Sequence, residues 1–129
     1  MIITSCRATD SHVVAACSNN PLEKLELLWI AGLTRGVIDG IISSQSAATL
    51  RDLDITYCEP RDVDDEETYM QDGGIRAGDM LRLVRACPSL SQLHWQREYW
   101  PDWPKVSPEE EEMTEILAGR GGEFHNSIG

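Results

Sequence analysis

The side chains that could carry out chemistry in this chain are three histidines, four cysteines and a dense acidic run. His12, His94 and His125 are scattered, and none belongs to a nucleophile motif such as G-x-S-x-G or a zinc motif such as H-E-x-x-H. The sequence also has no P-loop and no G-x-G-x-x-G motif for binding phosphates. We therefore predict that the protein is not an enzyme.

The acidic run from Asp62 to Glu67 has five carboxylates in six positions, and such clusters can bind calcium. An EF-hand loop needs glycine at its sixth position to make its turn, but that residue, counted from Asp62, is Glu67. The segment also has too few apolar side chains to offset the entropy of ordering it. We predict a solvated, mobile loop over residues 59–74, and calcium binding is the alternative.

The elements that must position these residues follow from a pattern, apolar-x-x-apolar-x-apolar, that occurs three times. An apolar stretch of helical character precedes each copy, so the unit reads as helix, tight turn and strand. Met1 and Ile3 match the second half of the pattern, which indicates a fourth strand at the start of the chain. The three copies are Leu22, Leu25 and Leu27; Leu50, Leu53 and Ile55; and Leu90, Leu93 and Trp95.

The spacing of these copies is typical of leucine-rich repeats. Leu22 and Leu50 are 28 residues apart, within the repeat period of about 20 to 29 residues. The longer spacing from Leu50 to Leu90 is explained by an acidic loop inserted at residues 59–74. We predict an α/β leucine-rich repeat solenoid over residues 1–106, with parallel concave strands, convex helices and about three and a half repeats.

The cysteines fit this solenoid as structural residues. Cys6 and Cys58 lie at the same repeat position, whereas Cys17 and Cys87 each end a helical stretch just before the next strand. No C-x-x-C pair and no histidine at ligand spacing accompanies them, which argues against a zinc site. Because free cysteine is among the most buried residue types, we predict buried cysteines and no metal or other cofactor.

Two segments, TLRDLDITYC and LVRACPSLSQLHW, resemble the cysteine-containing repeats of F-box proteins and related ribonuclease-inhibitor-like solenoids. The resemblance covers about Met1 to Gln96 and is most specific at the phrase Ala86-Cys87-Pro88-Ser89-Leu90. Members of this family use an N-terminal F-box to bind a ubiquitin-ligase adaptor and use the repeats to hold a substrate. No F-box is visible in this sequence. The resemblance therefore implies the substrate-recognition part of such a protein.

The concave side of the predicted sheet is the first candidate binding surface. In each strand, residues between the inward leucines face this side, because side chains alternate along a strand. Glu26, Asp54 and His94 occupy equivalent positions, so we expect them to form a row with a spacing of about 4.8 Å. Such residues either contact a partner or keep the sheet soluble. The predicted protein-binding residues here are Lys24, Glu26, Leu28, Asp52, Asp54, Thr56, Gln92, His94 and Gln96.

An aromatic segment at residues 95–104 is the second candidate surface. We interpret it as a C-terminal cap, because the last repeat of a solenoid exposes an apolar edge that must be covered. The alternative is a binding hot spot, since Trp and Tyr dominate interface energetics. The aromatic residues that join the predicted protein-binding set are Tyr99, Trp100 and Trp103.

Residues 107–129 form the second predicted region, a short acidic helix followed by a flexible tail. Ser107 is a good N-cap, Pro108 suits the first helical position, and acidic residues follow in the first turn. This helix is expected to end at Ala118, before Gly119. From Gly121 onward we predict no ordered structure.

The charge of the chain limits its partners. The net charge is −11, which argues against nucleic acid, because a phosphate-binding surface needs clustered lysine and arginine. No apolar run approaches the roughly 20 residues that span a bilayer, and the sequence has no signal-peptide pattern. We predict a cytoplasmic or nuclear protein with a protein partner, favouring one with a basic surface. A structural fragment of a larger repeat scaffold, with no independent activity, is the alternative function.

Overall fold

The computed structural model describes residues 1–4, 9–28, 30, 33–56, 58, 74–97 and 107–128. The helices in these ranges are α1 (Asp10–Asn19), α2 (Gly36–Ile42), α3 (Ala77–Ala86) and α4 (Pro108–Gly119), with a 3-10 helix at Gln45–Ala48. The strands are β1 (Ile2–Ile3), β2 (Lys24–Leu28), β3 (Asp52–Thr56), β4 (Gln92–Arg97) and β5 (Glu123–Ile128).

The five strands form one sheet in the order β1-β2-β3-β4-β5, and every neighbouring pair is parallel. Parallel neighbours require crossover connections, and a helix lies between each consecutive pair of strands. The predicted α/β class, the first four strands and the helix predicted before each copy of the apolar pattern are therefore confirmed. The pairing also places Leu25, Leu53 and Leu93 side by side, as the sequence pattern requires.

The four helices that the structure describes pack on the same face of the sheet, where the strands carry their leucines. Leu25, Leu27, Leu53 and Ile55 are fully buried, in one apolar core with residues from all four helices that the structure describes. The alternate residues of the same strands are at most partly buried. Burying a single large aliphatic side chain contributes about 1.5 to 3 kcal/mol, so this one core provides the main stabilisation.

The predicted structural role of the cysteines is confirmed for Cys17, Cys58 and Cys87, which are buried free thiols. The Cys58 thiol donates a hydrogen bond of 3.2 Å to the backbone carbonyl of Leu27, in the preceding strand. The thiol thus contacts backbone of the neighbouring strand β2. Cys6 lies outside the described residues.

Helix α4 begins and ends close to the predicted residues. The Ser107 hydroxyl accepts a hydrogen bond of 3.2 Å from the Glu110 amide, and the Glu110 carboxylate accepts one of 3.1 Å from the Ser107 amide. This reciprocal pair is a capping box, and it satisfies two amides that the helix leaves free. Pro108 occupies the first turn, as predicted. The helix ends at Gly119, one residue later than expected.

The predicted flexible tail after Gly121 is wrong, because residues Glu123–Ile128 form β5 and pair with β4 along its whole length. The sequence pattern fails here for a clear reason. Phe124 pairs with Leu93 and is apolar, but Asn126, which pairs with Trp95, is polar. The position that corresponds to Leu90 is occupied by Gly121, three residues before Phe124. Only one of the three pattern positions is apolar, so hydrophobic periodicity does not reveal the strand.

The cap predicted for residues 95–104 rested on β4 being the last strand, which is also wrong. Strand β5 covers the edge of β4, and Trp95 is a buried core residue of β4. Residues 98–104 lie outside the described residues, so for them the cap stays a prediction. The acidic loop of residues 59–74 lies outside them as well, apart from Gly74, which is buried.

Candidate protein-binding surface

The sheet face opposite the helices is the candidate binding surface, and we call it the polar face. Side chains alternate along each strand, so burying the leucines on one face presents the residues between them on the other. All nine concave residues predicted from the sequence lie on this face, which strand β5 extends by two residues. The polar face consists of Lys24, Glu26, Leu28, Asp52, Asp54, Thr56, Gln92, His94, Gln96, Glu123 and His125.

The strand register aligns these residues into rows across the sheet. Glu26 pairs with Asp54, Asp54 pairs with His94, and His94 pairs with His125. The predicted row of Glu26, Asp54 and His94 is therefore confirmed, and His125 continues it. Neighbouring strands lie about 4.8 Å apart, so the row presents four ionisable side chains at regular intervals.

His125 was not among the predicted binding residues because its strand was not predicted. The signal was present in the sequence, since Phe124 and His125 repeat the apolar-polar order of Leu93 and His94. Recognising it requires accepting a repeat with a single apolar residue. Tyr99, Trp100 and Trp103, the aromatic part of the predicted set, lie outside the described residues.

The charged side chains of β2 and β3 are held by neighbours on the polar face itself. The Lys24 ammonium lies 3.5 Å from the Glu26 carboxylate, and 59% of the Lys24 side chain is exposed. The Thr56 hydroxyl donates a hydrogen bond of 2.6 Å to the Asp54 carboxylate. Exposed ion pairs contribute only about 0 to 1 kcal/mol to stability. These charges are therefore available for binding without supporting the fold.

The two histidines of the row are in direct contact. The rings of His94 and His125 stack with their centroids 4.2 Å apart and their planes inclined by 13°. The Nε2 atom of His125 lies 3.0 Å from the Glu123 carboxylate, on the same strand. This end of the polar face thus has two adjacent imidazole rings with carboxylates of β3 and β5 as their charged neighbours.

A different surface character is found at the other end of the row. Ile2 pairs with Glu26 and is 63% exposed, and the preceding Met1 is 48% exposed. These are the exposed large hydrophobic side chains among the residues that the structure describes. The row therefore runs from an apolar end at β1, through carboxylates, to imidazoles at β5.

The thiols do not form a nucleophilic site in the described part of the chain. Burial raises the pKa of Cys87 to about 11, with a smaller contribution from Cys17, while the Arg120 guanidinium lowers it. Burial also raises the pKa of Cys17, and its hydrogen bond with Ser46 opposes this shift. Because the thiolate is the reactive form, these cysteines are inert at neutral pH.

Metal-binding clusters and membrane-spanning helices are both absent from the described ranges. Within these ranges, no group of three or more His, Cys, Asp and Glu side chains is arranged to hold a metal ion. None of the helices described is both long enough and apolar enough to cross a membrane.

Comparisons of the chain with models of protein families, with curated proteins and with solved structures found no match. The function must therefore be inferred from the geometry of the polar face.

Proposed function

We propose that this chain is a protein-interaction module of the leucine-rich repeat type that binds its partner on the polar face. The observation that carries the proposal is the division of the sheet into two faces. One face is covered by helices, and among the described residues the other has no helix packed on it. A rigid sheet that presents aligned polar rows is the surface that stacked-repeat proteins use for binding.

The contents of the polar face support binding through charge and hydrogen bonds. Four carboxylates and one ammonium group lie on it, with glutamine, threonine and histidine side chains between them. Complementary charges accelerate encounter and select the partner more than they add to affinity. A partner protein with a basic surface fits this face, whereas nucleic acid does not, because its phosphates would meet like charges.

The more specific proposal is that the chain is the substrate-recognition part of an F-box-like ubiquitin-ligase adaptor, acting in the cytoplasm or nucleus. It rests on the resemblance of the repeats and on the arrangement of their cysteines. Cys87 and Leu90, in the most specific phrase of that resemblance, are both buried at the turn from α3 into β4. Cys58 contacts the neighbouring repeat, as described above.

One observation favours a second candidate, a structural part of a larger repeat scaffold with no activity of its own. Ile2 and Met1 expose apolar surface on β1, which is the outermost described strand on its side of the sheet. In a larger scaffold, apolar contacts from another part of that scaffold would cover these side chains. In that case the polar face would be a solvated surface, and its charges would not influence the capture of any partner.

The experiment that tests the proposal compares charge reversals on the two sides of the molecule. Asp52→Lys with Asp54→Lys changes the polar face, and Glu111→Lys with Glu115→Lys makes the same charge change on exposed positions of α4. Each biotinylated full chain is used to capture cross-linked proteins from a cell lysate, and thermal melts check folding. We expect the polar-face pair to lose proteins that the wild type and the α4 pair retain.

Equal capture by both variants and the wild type, with equal melting temperatures, would contradict binding on the polar face. Selective loss of one protein by the polar-face pair would also identify the partner. The F-box-like proposal then requires that the level of this protein in cells rises when the chain is removed. An unchanged level leaves a binding module that does not direct degradation.

A further inference from the structure

We propose that His94 and His125 make the binding of a basic partner to the polar face dependent on pH, so that the partner is held at neutral pH and released on mild acidification. This inference rests on the proposed function, since it concerns the regulation of the same surface. It goes beyond that function by assigning a control role to the histidine pair and by committing to a cationic partner segment.

The position of the pair on the binding surface is the first support. His94 and His125 lie in the same row as Glu26 and Asp54, with backbones paired strand to strand. The carboxylate of Asp54 belongs to the residue paired with His94, so a cationic segment attracted to Asp54 must also lie next to the imidazoles. A charge that appears on the rings therefore acts directly on the bound segment.

The charge of the surface is the second support. The polar face carries the carboxylates of Glu26, Asp52, Asp54 and Glu123 against the ammonium of Lys24, which gives it a net charge of −3 when both imidazoles are neutral. Histidine is the side chain that ordinarily changes its charge between about pH 5 and 8. Protonation of both rings would add two positive charges and change the net charge of the polar face from −3 to −1.

The groups around the pair are the third support. The charged side chains nearest to it in the described sheet are Asp54 and Asp52 on β3 and Glu123 on β5, and the flanking polar-face residues of β4, Gln92 and Gln96, are uncharged. No lysine or arginine of the polar face lies on β3, β4 or β5 among the described side chains. The charged groups around the pair are therefore all carboxylates, and a positive charge on either ring would repel a cationic segment that these carboxylates attract.

The ring stack gives the pair a property that two separate histidines would not have. The ring centroids of His94 and His125 are 4.2 Å apart. A positive charge on one ring therefore also acts on a partner group that contacts the other ring. The two imidazoles thus act on the same part of a bound segment. A partner that contacts only the β2 end of the row would be affected much less, because exposed charges beyond about 8 to 10 Å are screened at physiological salt.

The test uses an arginine-serine repeat peptide labelled with rhodamine, because neither arginine nor this dye changes charge over the pH range. Binding to the full chain is measured by fluorescence anisotropy at low ionic strength, at about pH 7.5 and about pH 5.5. We expect the Kd of the wild type to rise about fivefold to tenfold on acidification. For the variant His94→Gln with His125→Gln, the Kd is expected to change by less than about twofold on acidification, because the histidines are gone and the polar face keeps the same carboxylates.

His12→Gln is the matched control, because His12 lies on α1 and caps that helix, away from the polar face. This variant should keep the full pH response of the wild type. The Met1 amine, which donates a hydrogen bond to the Lys24 carbonyl, is present in every variant, so the comparison between variants does not depend on it. Far-UV circular dichroism at both pH values confirms that the variants are folded, and single His125→Gln serves if the double variant is not.

The outcomes separate the two proposals. If wild type and the His94→Gln, His125→Gln variant lose affinity equally, while Asp52→Lys with Asp54→Lys abolishes binding, the polar face binds cations and the histidine inference is overturned. If the Asp pair variant binds the peptide as tightly as the wild type at both pH values, the peptide binds elsewhere. That result overturns the inference and removes the support for a cationic partner on the polar face.

Discussion

Single buried polar side chains connect successive helix-strand units in this protein. The Ser46 hydroxyl is fully buried in the 3-10 helix before β3, and the carbonyl oxygens of Cys17 and Asn20 lie 2.8 and 2.7 Å from it and share its single proton. The hydroxyl also accepts a hydrogen bond of 3.0 Å from the Leu22 amide. These backbone groups lie in the last turn of α1 and in the connection from α1 to β2. A buried backbone group without a partner costs about 1 to 3 kcal/mol, so one hydroxyl stabilises an entire turn.

Arg120 has the corresponding role at the turn between α3 and β4. Its guanidinium donates hydrogen bonds to the carbonyls of Val84, Cys87 and Leu90 at 3.1, 3.0 and 2.8 Å. These carbonyls lie at the end of α3 and in the turn before β4, where a helix leaves its last acceptors free. Two different side chains, one small and one long, thus satisfy equivalent turns. Sequence similarity alone would not relate them.

The buried thiol of Cys87 predicts how stability depends on alkaline pH. Its pKa is raised from 9.0 to about 11, mainly by burial. Between these values the unfolded chain loses the proton and the folded chain keeps it, so ionisation favours unfolding. The free energy of unfolding should fall as pH rises from about 9 to 11. Urea titrations of wild type and Cys87→Ala, with a reductant present, measure this change at each pH.

Cys87→Ala removes this ionisation, so its stability should fall less steeply over the same range, whatever its stability at neutral pH. The other cysteines, the lysines and the tyrosines are present in both proteins, so the difference between the two proteins isolates the effect of Cys87. If the free energy of unfolding falls equally steeply with pH in the two proteins, the folded state does not protect the Cys87 thiol from ionisation.

At the scale of elements, the connection from α4 to β5 depends on two glycines. Gly121 has a φ of 78°, in the left-handed region that glycine adopts without strain. Its amide donates to the Ala118 carbonyl at 3.0 Å, and the Gly122 amide donates to the Leu117 carbonyl at 2.9 Å. This pair of bonds is a Schellman motif, which ends the helix and turns the chain toward the sheet.

Gly122 is required for a second reason, the close approach of β5 to β4. A Cβ atom at this position would lie 1.7 Å from the Ser91 carbonyl oxygen, so the backbone must move to accept any side chain. Gly122→Ala should therefore destabilise the protein by about 1 to 3 kcal/mol, as overpacking does. The measurement is a urea titration followed by tryptophan fluorescence and circular dichroism.

Gly78→Ala is the matched control for this substitution. Gly78 lies in α3, and a Cβ atom added there would have no neighbouring atom within 4 Å, so the methyl group meets open space. Alanine there should increase stability by about 0.5 to 1 kcal/mol, because it lowers the entropy of the unfolded chain and favours helix. A lower free energy of unfolding for Gly122→Ala together with a higher one for Gly78→Ala would support the placement of β5. A Gly122→Ala variant as stable as the wild type would contradict it.

At the scale of the whole molecule, residues 107–128 complete the sheet and the helical layer. Strand β5 pairs with β4, and buried Met113 and Leu117 of α4 join the common core. A chain that ends at residue 106 would expose the hydrogen-bonding edge of β4 and the apolar side of α3. Exposed strand edges and apolar patches promote association between molecules.

Truncation after residue 106 should therefore lower the melting temperature by at least about 10 °C and produce oligomers. Light scattering coupled to size-exclusion chromatography measures the association, and a thermal melt measures the stability. The full chain under the same conditions is the control. A monomeric truncated chain that melts like the full chain would show that residues 1–106 form a complete unit, as expected from the repeat pattern.

How far the fold can be predicted from the sequence depends on how strongly each repeat follows the apolar pattern. Strands β2, β3 and β4 each contain two apolar pattern residues and follow a third, and their positions, register and exposed rows were predictable from alternation alone. Strand β5 has Phe124 as its single match, because much of its support comes from backbone pairing, the Gly122 approach and Arg120. Such contacts are set by neighbouring chain segments, and hydrophobic periodicity does not report them. The same omission removed His125 from the predicted site.

The order of the strands also determines how the molecule would respond to mechanical tension. Because β1 and β5 are the two outermost strands of the described sheet, a force applied through them is transmitted across each strand pair in series. Every pair then bears the full load, and the weakest yields first. That pair is β1 with β2, which is joined over two residue pairs, whereas β4 and β5 are joined over six. Under tension the sheet would therefore open one strand at a time from the β1 side, at low force, and not break as a single unit.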